Sequence, residues 1–199
     1  MTSMRSPLKV LADGEDGNTA SPSGTIQGNV TGNVTGNLDG GISGGATKAE
    51  LNRAADVSTR LVAAGATLAM TEAAHEGKII CLDTAAGSIV TLPPSTGGGA
   101  VYRILVTVTA TSNSHIIKVA NASDEFRGFV IQDSDTATAP NTWWAADNDD
   151  TITLNRSTTG LAAQGEYFEI VDALLNHYMV QGYSQASGTE ATPFSATVS

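Results

Sequence analysis

The sequence predicts a mainly β chain: an extended N-terminal arm, a glycine-rich stalk, a short helix and a C-terminal β-sandwich or barrel-like domain, wound into an intertwined trimer. Three observations carry this. Glycine recurs at 24, 28, 32, 36, 40 and 44, with an aliphatic residue two places after each of the first five. A capping box follows directly. From Ala66 onward, short apolar runs alternate with turn residues in the manner of closely spaced strands.

Residues 1–23 contain one apolar cluster, Leu8, Val10 and Leu11, among Gly, Asp, Ser and Asn. That is too little to fold alone, and it suits an arm that orders on a partner. Leu8, Val10 and Leu11 are the expected capsid-docking residues.

Residues 24–46 form the stalk. In an extended chain, side chains alternate faces with period two. The odd positions, such as Thr25, Asn29 and Thr31, are polar. The even positions alternate glycine with Ile26, Val30, Val34, Leu38 and Ile42. Each aliphatic knob therefore has a glycine gap beside it, into which a neighbouring chain fits closely. Burying one aliphatic side chain gains ~1.5–3 kcal/mol at most. Ordering about twenty residues costs ~1–2 kcal/mol each in backbone entropy. A lone strand loses, so the segment needs identical chains to satisfy its backbone groups. The expected arrangement is three chains about an axis, with the five aliphatics as trimer contacts. A flexible linker and a turn at each Gly-Asn pair are the competing readings. The unbroken phase and the strict aliphatic slot speak against the linker; the turn stays open.

Residues 47–65 are expected to form a helical collar. Thr47 and Glu50 make the capping box, the helix runs over about 48–64, and Gly65 stops it. Leu51, Ala54, Ser58 and Leu61 fall at a/d spacing. Leu51 and Leu61 join the expected trimer contacts. Two heptads do not hold a coiled coil alone, so packing on the chain's own domain is an equal reading.

Residues 66–185 are the β domain. Strands are expected near 67–70, 78–82, 88–92, 101–110, 115–120, 126–132, 151–154, 167–171 and 178–183, separated by glycine, proline, asparagine and aspartate. Nine strands in this length make a sandwich or barrel. A long polar loop is expected from Asp133 to Asp150, carrying Trp143 and Trp144. These two are the best candidates for a partner contact, with core or edge packing as the alternative. Residues 186–199 read as a polar tail that crosses to a neighbour or stays loose.

No catalytic, cofactor-binding or metal-binding residue is expected. His75, His115 and His177 are scattered without ligand spacing. Asp147-Asn148-Asp149-Asp150 lacks the glycine and distal glutamate of a calcium loop. An acidic turn or a weak cation at a subunit junction are the readings there. Gly97-Gly98-Gly99 lacks the Lys-Ser/Thr of a phosphate loop and reads as a hinge. Glu166 and Glu169 sit three apart along a strand, on opposite faces, and do not make an acid–base pair. Cys81, the only cysteine, lies in an apolar run. The net charge of −10 argues against phosphate-mediated nucleic-acid binding. No apolar run reaches transmembrane length or makes a signal core. The expectation is no enzyme, no cofactor, no nucleic acid and no membrane.

The repeat GNVTGNVTGNLDG followed by TKAELNRAADVS resembles tailed-bacteriophage virion proteins. The segments GKIICLDTAAGSIVTLPPSTGGGAVYRILV and GEYFEIVDALLNHYMVQGY resemble a small β domain at the ends of phage head-decoration and fibre proteins. SPLKVLADG is similar to the start of some phage fibre proteins. Tyr178 fills the place of that family's aromatic before the last strand, a loose match. The resemblance implies a homotrimeric decoration (cement) protein or head fibre on the capsid exterior, with the major capsid protein as partner. A tail-fibre or host-binding adhesin is the alternative.

Overall fold

The computed structural model describes residues 59–135 and 139–198. The arm, the repeat and most of the expected helix lie outside the described residues, and with them Leu8, Val10, Leu11, Ile26, Val30, Val34, Leu38, Ile42 and Leu51.

The described chain is mainly β, in two sheets. Its strands are β1 (Leu61–Ala63), β2 (Thr67–Ala69), β3 (Ile79–Leu82), β4 (Ile89–Thr91), β5 (Val101–Val106), β6 (His115–Lys118), β7 (Glu125–Ser134), β8 (Asn141–Trp144), β9 (Thr151–Leu154), β10 (Tyr167–Leu174), β11 (His177–Ala186) and β12 (Phe194–Ser195). A single-turn helix, α1 (Glu72–His75), is the one helix among the described residues, and it is too short to cross a membrane.

The larger sheet has seven strands in the order β1-β3-β5-β10-β11-β7-β8, and the smaller has five in the order β12-β9-β6-β4-β2. The first six strands alternate between the sheets. β1, β3 and β5 pair in parallel in one, and β2, β4 and β6 in the other. The chain thus climbs in coils, each laying one rung in both sheets. The second half departs from this. β10 and β11 form an antiparallel hairpin at the centre of the larger sheet, and β11 runs parallel to β7.

Strand alternation builds the core. On β5, Tyr102, Ile104 and Val106 are buried, while Val101, Arg103 and Leu105 face outward. Phe126, Val130, Phe168, Ile170, Tyr178 and Val180 continue the inward face. Ile117, Ile152, Leu154 and Phe194 meet it from the smaller sheet in one contiguous cluster. Tyr178 packs edge-on to Tyr102, with ring centroids 6.4 Å apart, and its hydroxyl donates to the Pro93 carbonyl at 2.7 Å. That bond satisfies the one polar atom of a fully buried ring.

Four expectations are corrected. Residues 61–63 are a strand and not the end of a helix. Leu61, Val62 and Ala63 register with Ile79, Ile80 and Cys81, so pairing to a sheet edge outweighs the helical spacing. Leu61 is therefore a strand residue, 64% exposed. β5 ends at Val106, short of Ala110, because its neighbours run out there. The Thr107 and Val108 N–H groups both turn to the Leu82 carbonyl at 3.1 Å. The expected loop over 133–150 contains β8, which pairs with β7 and puts Trp143 and Trp144 on a strand. Finally, the tail folds back on its own chain. Phe194 is buried on β9, and Asp150 accepts from the Thr197 and Val198 N–H groups at 2.8 and 3.0 Å.

Candidate functional site

The most distinctive surface is the outward face of the larger sheet. One row across it reads Leu61, Ile79, Arg103, Glu169, Gln181, Phe129 and Trp144, each registered with the next. The row beside it reads Ala63, Cys81, Leu105, Tyr167, Tyr183, Ile131 and Thr142. On the other side lie Val101, Val171, Met179 and Arg127. Nothing among the described residues covers this face in full. Trp144 is 68% exposed, Met179 43% and Ile131 39%. Solvent-facing sheet positions are ordinarily polar, so this many apolar and aromatic side chains in contiguous rows makes the face the candidate interaction surface.

Local chemistry fixes its geometry. Trp143 and Trp144 are neighbours on a strand and point to opposite faces. Trp143 turns inward and donates its indole N–H to Gln132 Oε1 at 2.8 Å. Trp144 turns outward against Phe129, with ring centroids 5.1 Å apart. Beside them Phe129, Trp144, Val171, Met179, Glu169 and Gln181 line a hollow of about 160 Å³. Small-molecule sites run to ~300–1,000 Å³, so the hollow suits a single inserted side chain. Arg103 Nε donates to Glu169 Oε2 at 3.0 Å in the middle of the face, and both groups are partly exposed. At its corner, Arg127 pairs with Glu125 and Asp147, and His177 approaches Glu125 at 2.9 Å. The Asn148 N–H donates to Glu125, and with Arg127 beside it this holds the Glu125 carboxyl below its usual range.

Next to the face, the β10–β11 turn presents Leu174 and Leu175, 62% and 67% exposed. It is braced from within. Asp172 Oδ1 accepts from Ser95 Oγ at 2.8 Å and from the Gly97 N–H at 2.8 Å; Oδ2 accepts from Thr96 Oγ1 at 2.9 Å and from the Gly98 N–H at 3.3 Å. The Thr96 N–H is shared between the two oxygens. The single Ser95 hydroxyl proton is shared between Asp172 Oδ1 and the Leu174 carbonyl, which also stands 2.8 Å from Ser95 Oγ. Burial opposes the charge on Asp172, but the donors from Gly97, Thr96 and Ser95 outweigh it and hold the carboxyl below its usual range. The glycine run read as a hinge is thus an anion-binding concavity filled by the protein's own carboxylate. Gly97 needs its positive φ of 76°, and a Cβ there would stand 3.0 Å from the Leu175 nitrogen.

The remaining titratable candidates are structural in their contacts. His115 Nδ1 accepts from the Ser88 N–H at 2.9 Å and Nε2 donates to the Val108 carbonyl at 3.1 Å, which fixes the neutral tautomer. Burial pushes its pKa down. Glu166 is buried and accepts from the N–H groups of Leu161, Ala163 and Gln185. Burial pushes it up to about 7 against those bonds. Glu169 lies on the outward face, away from Glu166. Burial, then Asp83, raise the Cys81 thiol. In the acidic run, Asp147 pairs with Arg127, Asp149 accepts from the Ala146 N–H and Asp150 clamps the tail. Among the described residues, no group of three or more His, Cys, Asp or Glu is placed to hold a metal ion.

No protein-family model matches the chain, and neither a curated protein nor a solved structure is detectably similar to it. The geometry of the face and the sequence pattern therefore carry the functional argument. The outward residues missed in the sequence are Phe129, Val171, Met179, Leu174 and Leu175. Their signal was the run from His177 to Tyr183, where Met179 and Tyr183 occupy positions that alternation assigns to solvent.

Proposed function

We propose that this chain is a non-catalytic structural protein of a tailed-bacteriophage virion, a homotrimeric decoration (cement) protein or head fibre on the capsid exterior. Its partners are copies of itself and the major capsid protein. The arm docks on the shell, the repeat and the residues after it form an intertwined stalk, and the β domain projects or clamps neighbouring capsomers. The observation that carries this reading is the phased Gly-x-aliphatic-x repeat, which has no stable solitary state. The β domain supports it, since its larger sheet leaves an apolar face uncovered. Weak contacts of this kind gain strength when three linked copies engage together.

Removing residues 1–23 is expected to give soluble trimers that no longer bind purified capsids. Capsid binding at the full-length level would place the anchor elsewhere. Electron microscopy of intact particles with this protein labelled locates it on head or tail. One observation favours a tail adhesin instead: the exposed Trp144 ring packs against the half-buried Phe129. On that reading, purified protein blocks phage adsorption to host cells; on the decoration reading it does not.

A further inference from the structure

We infer that the outward face of the seven-stranded sheet is the surface through which copies of this chain pack on one another, with an apolar side chain of the neighbour seated in the hollow beside Trp144. The inference rests on the self-assembly reading above and names the surface that performs it.

Charge selects the occupant. The chain as a whole carries a formal charge of −10. The outward positions of the larger sheet carry two arginines, Arg103 and Arg127, against three carboxylates, Glu125, Asp133 and Glu169. The face is thus close to neutral on an acidic molecule. Asp124, Asp150, Glu166 and Asp172 are buried, so the rest of the described surface is only modestly more acidic than this face, and a basic partner is drawn there first. A second copy, repelled elsewhere, meets least repulsion here. The Arg103–Glu169 pair also suits exchange across a self-interface, since each copy offers both signs at one place.

Area agrees. Each outward position takes up ~4.8 Å by ~6.6 Å, and the three rows hold seven, seven and four such positions. The total, on the order of 600 Å², approaches the ~800 Å² per partner of a standard stable interface. Phe129, Trp144, Met179 and Val171 gather on the β8 side of the face, while the Arg103–Glu169 pair lies in its middle and the Glu125–Arg127 pair at its corner.

The test uses the full-length chain with Trp144→Glu and, separately, Met179→Glu. Both side chains are substantially exposed in the single subunit, so the subunit fold is expected to persist, as circular dichroism will show. Sedimentation velocity at micromolar concentration is expected to report a fall in mass of about threefold for each variant, from trimer to single chain. In parallel, hydroxyl-radical labelling of Met179 and Trp144 in the parent is expected to be several-fold slower than in the variant that keeps that residue. Variants that fold and stay trimeric overturn this surface and leave the assembly reading standing. A parent that sediments as a single chain with both residues quickly labelled overturns both. A single-chain parent with both residues protected overturns the inference in favour of the chain's own N-terminal residues as the cover.

Discussion

Replacing Asp172 by Asn tests the internal brace of the β10–β11 turn. The carboxylate gathers both hydroxyls and the three backbone N–H groups of the 95–98 loop on two oxygens. Asn keeps the shape but offers one oxygen and one NH2. If the oxygen takes the Oδ1 place, Ser95 Oγ, Thr96 N and Gly97 N keep an acceptor. Thr96 Oγ1 can rotate to accept from the new NH2, and the Gly98 N–H is left facing a donor. The change therefore loses one bond outright and the charge assistance on the others. A charge-assisted bond contributes ~1.5–3 kcal/mol and a neutral one ~0.5–1.5. Thr96, Gly97 and Gly98 are exposed, and water recovers part of the loss. The expected cost is about 2 kcal/mol in urea unfolding, with faster amide exchange at 96–98. Asp172 also gives this loss a pH signature. Its folded pKa lies below the ordinary 3.8, so its stabilisation is complete above that value and disappears as pH falls through the folded pKa. The Asn variant is expected to lack this acid limb. A variant within 0.5 kcal/mol of the parent, with an unchanged acid limb, refutes the account of the brace.

Three further outcomes are expected. Gly182→Ala places a Cβ 2.4 Å from Cδ1 of the buried Phe168 ring, and overpacking of this kind lowers stability by ~1–3 kcal/mol, readable as a drop in Tm. His115 has a lowered pKa, so its contribution is present above the unfolded value near 6.5 and declines as pH falls below it; His115→Asn flattens that decline in unfolding measured at pH 7.5, 6 and 5. Glu166 is raised from 4.5 to about 7, so its contribution is full below 4.5 and is lost as pH rises through 7; Glu166→Gln removes this opposing slope, and identical profiles for parent and variant refute the shift.

Strand existence was legible where one local pattern was enough. The run from Thr151 to Leu154 is a strand with the expected bounds, because its alternation and breakers are local. The ends of β5 and the nature of β8 were not legible. They depend on how far a partner strand extends, a fact that resides in distant residues such as Leu82 and Ile131. Leu61 misled for the same reason, since its spacing suits a helix while β3 supplies a ladder. At the candidate site, the prominence of Trp143 and Trp144 was readable, but their division between core and surface needed the strand. The Asp172 concavity joins residues more than seventy positions apart, and no short motif announces such a pairing.

The alternation of β1 through β6 between two sheets makes the domain modular along one direction. Its first rungs touch little beyond the next rung, as in proteins built from stacked repeats. Adding or removing one coil at the β1 edge would leave the ladders of the β10–β11 hairpin and the Tyr102–Tyr178 packing in place.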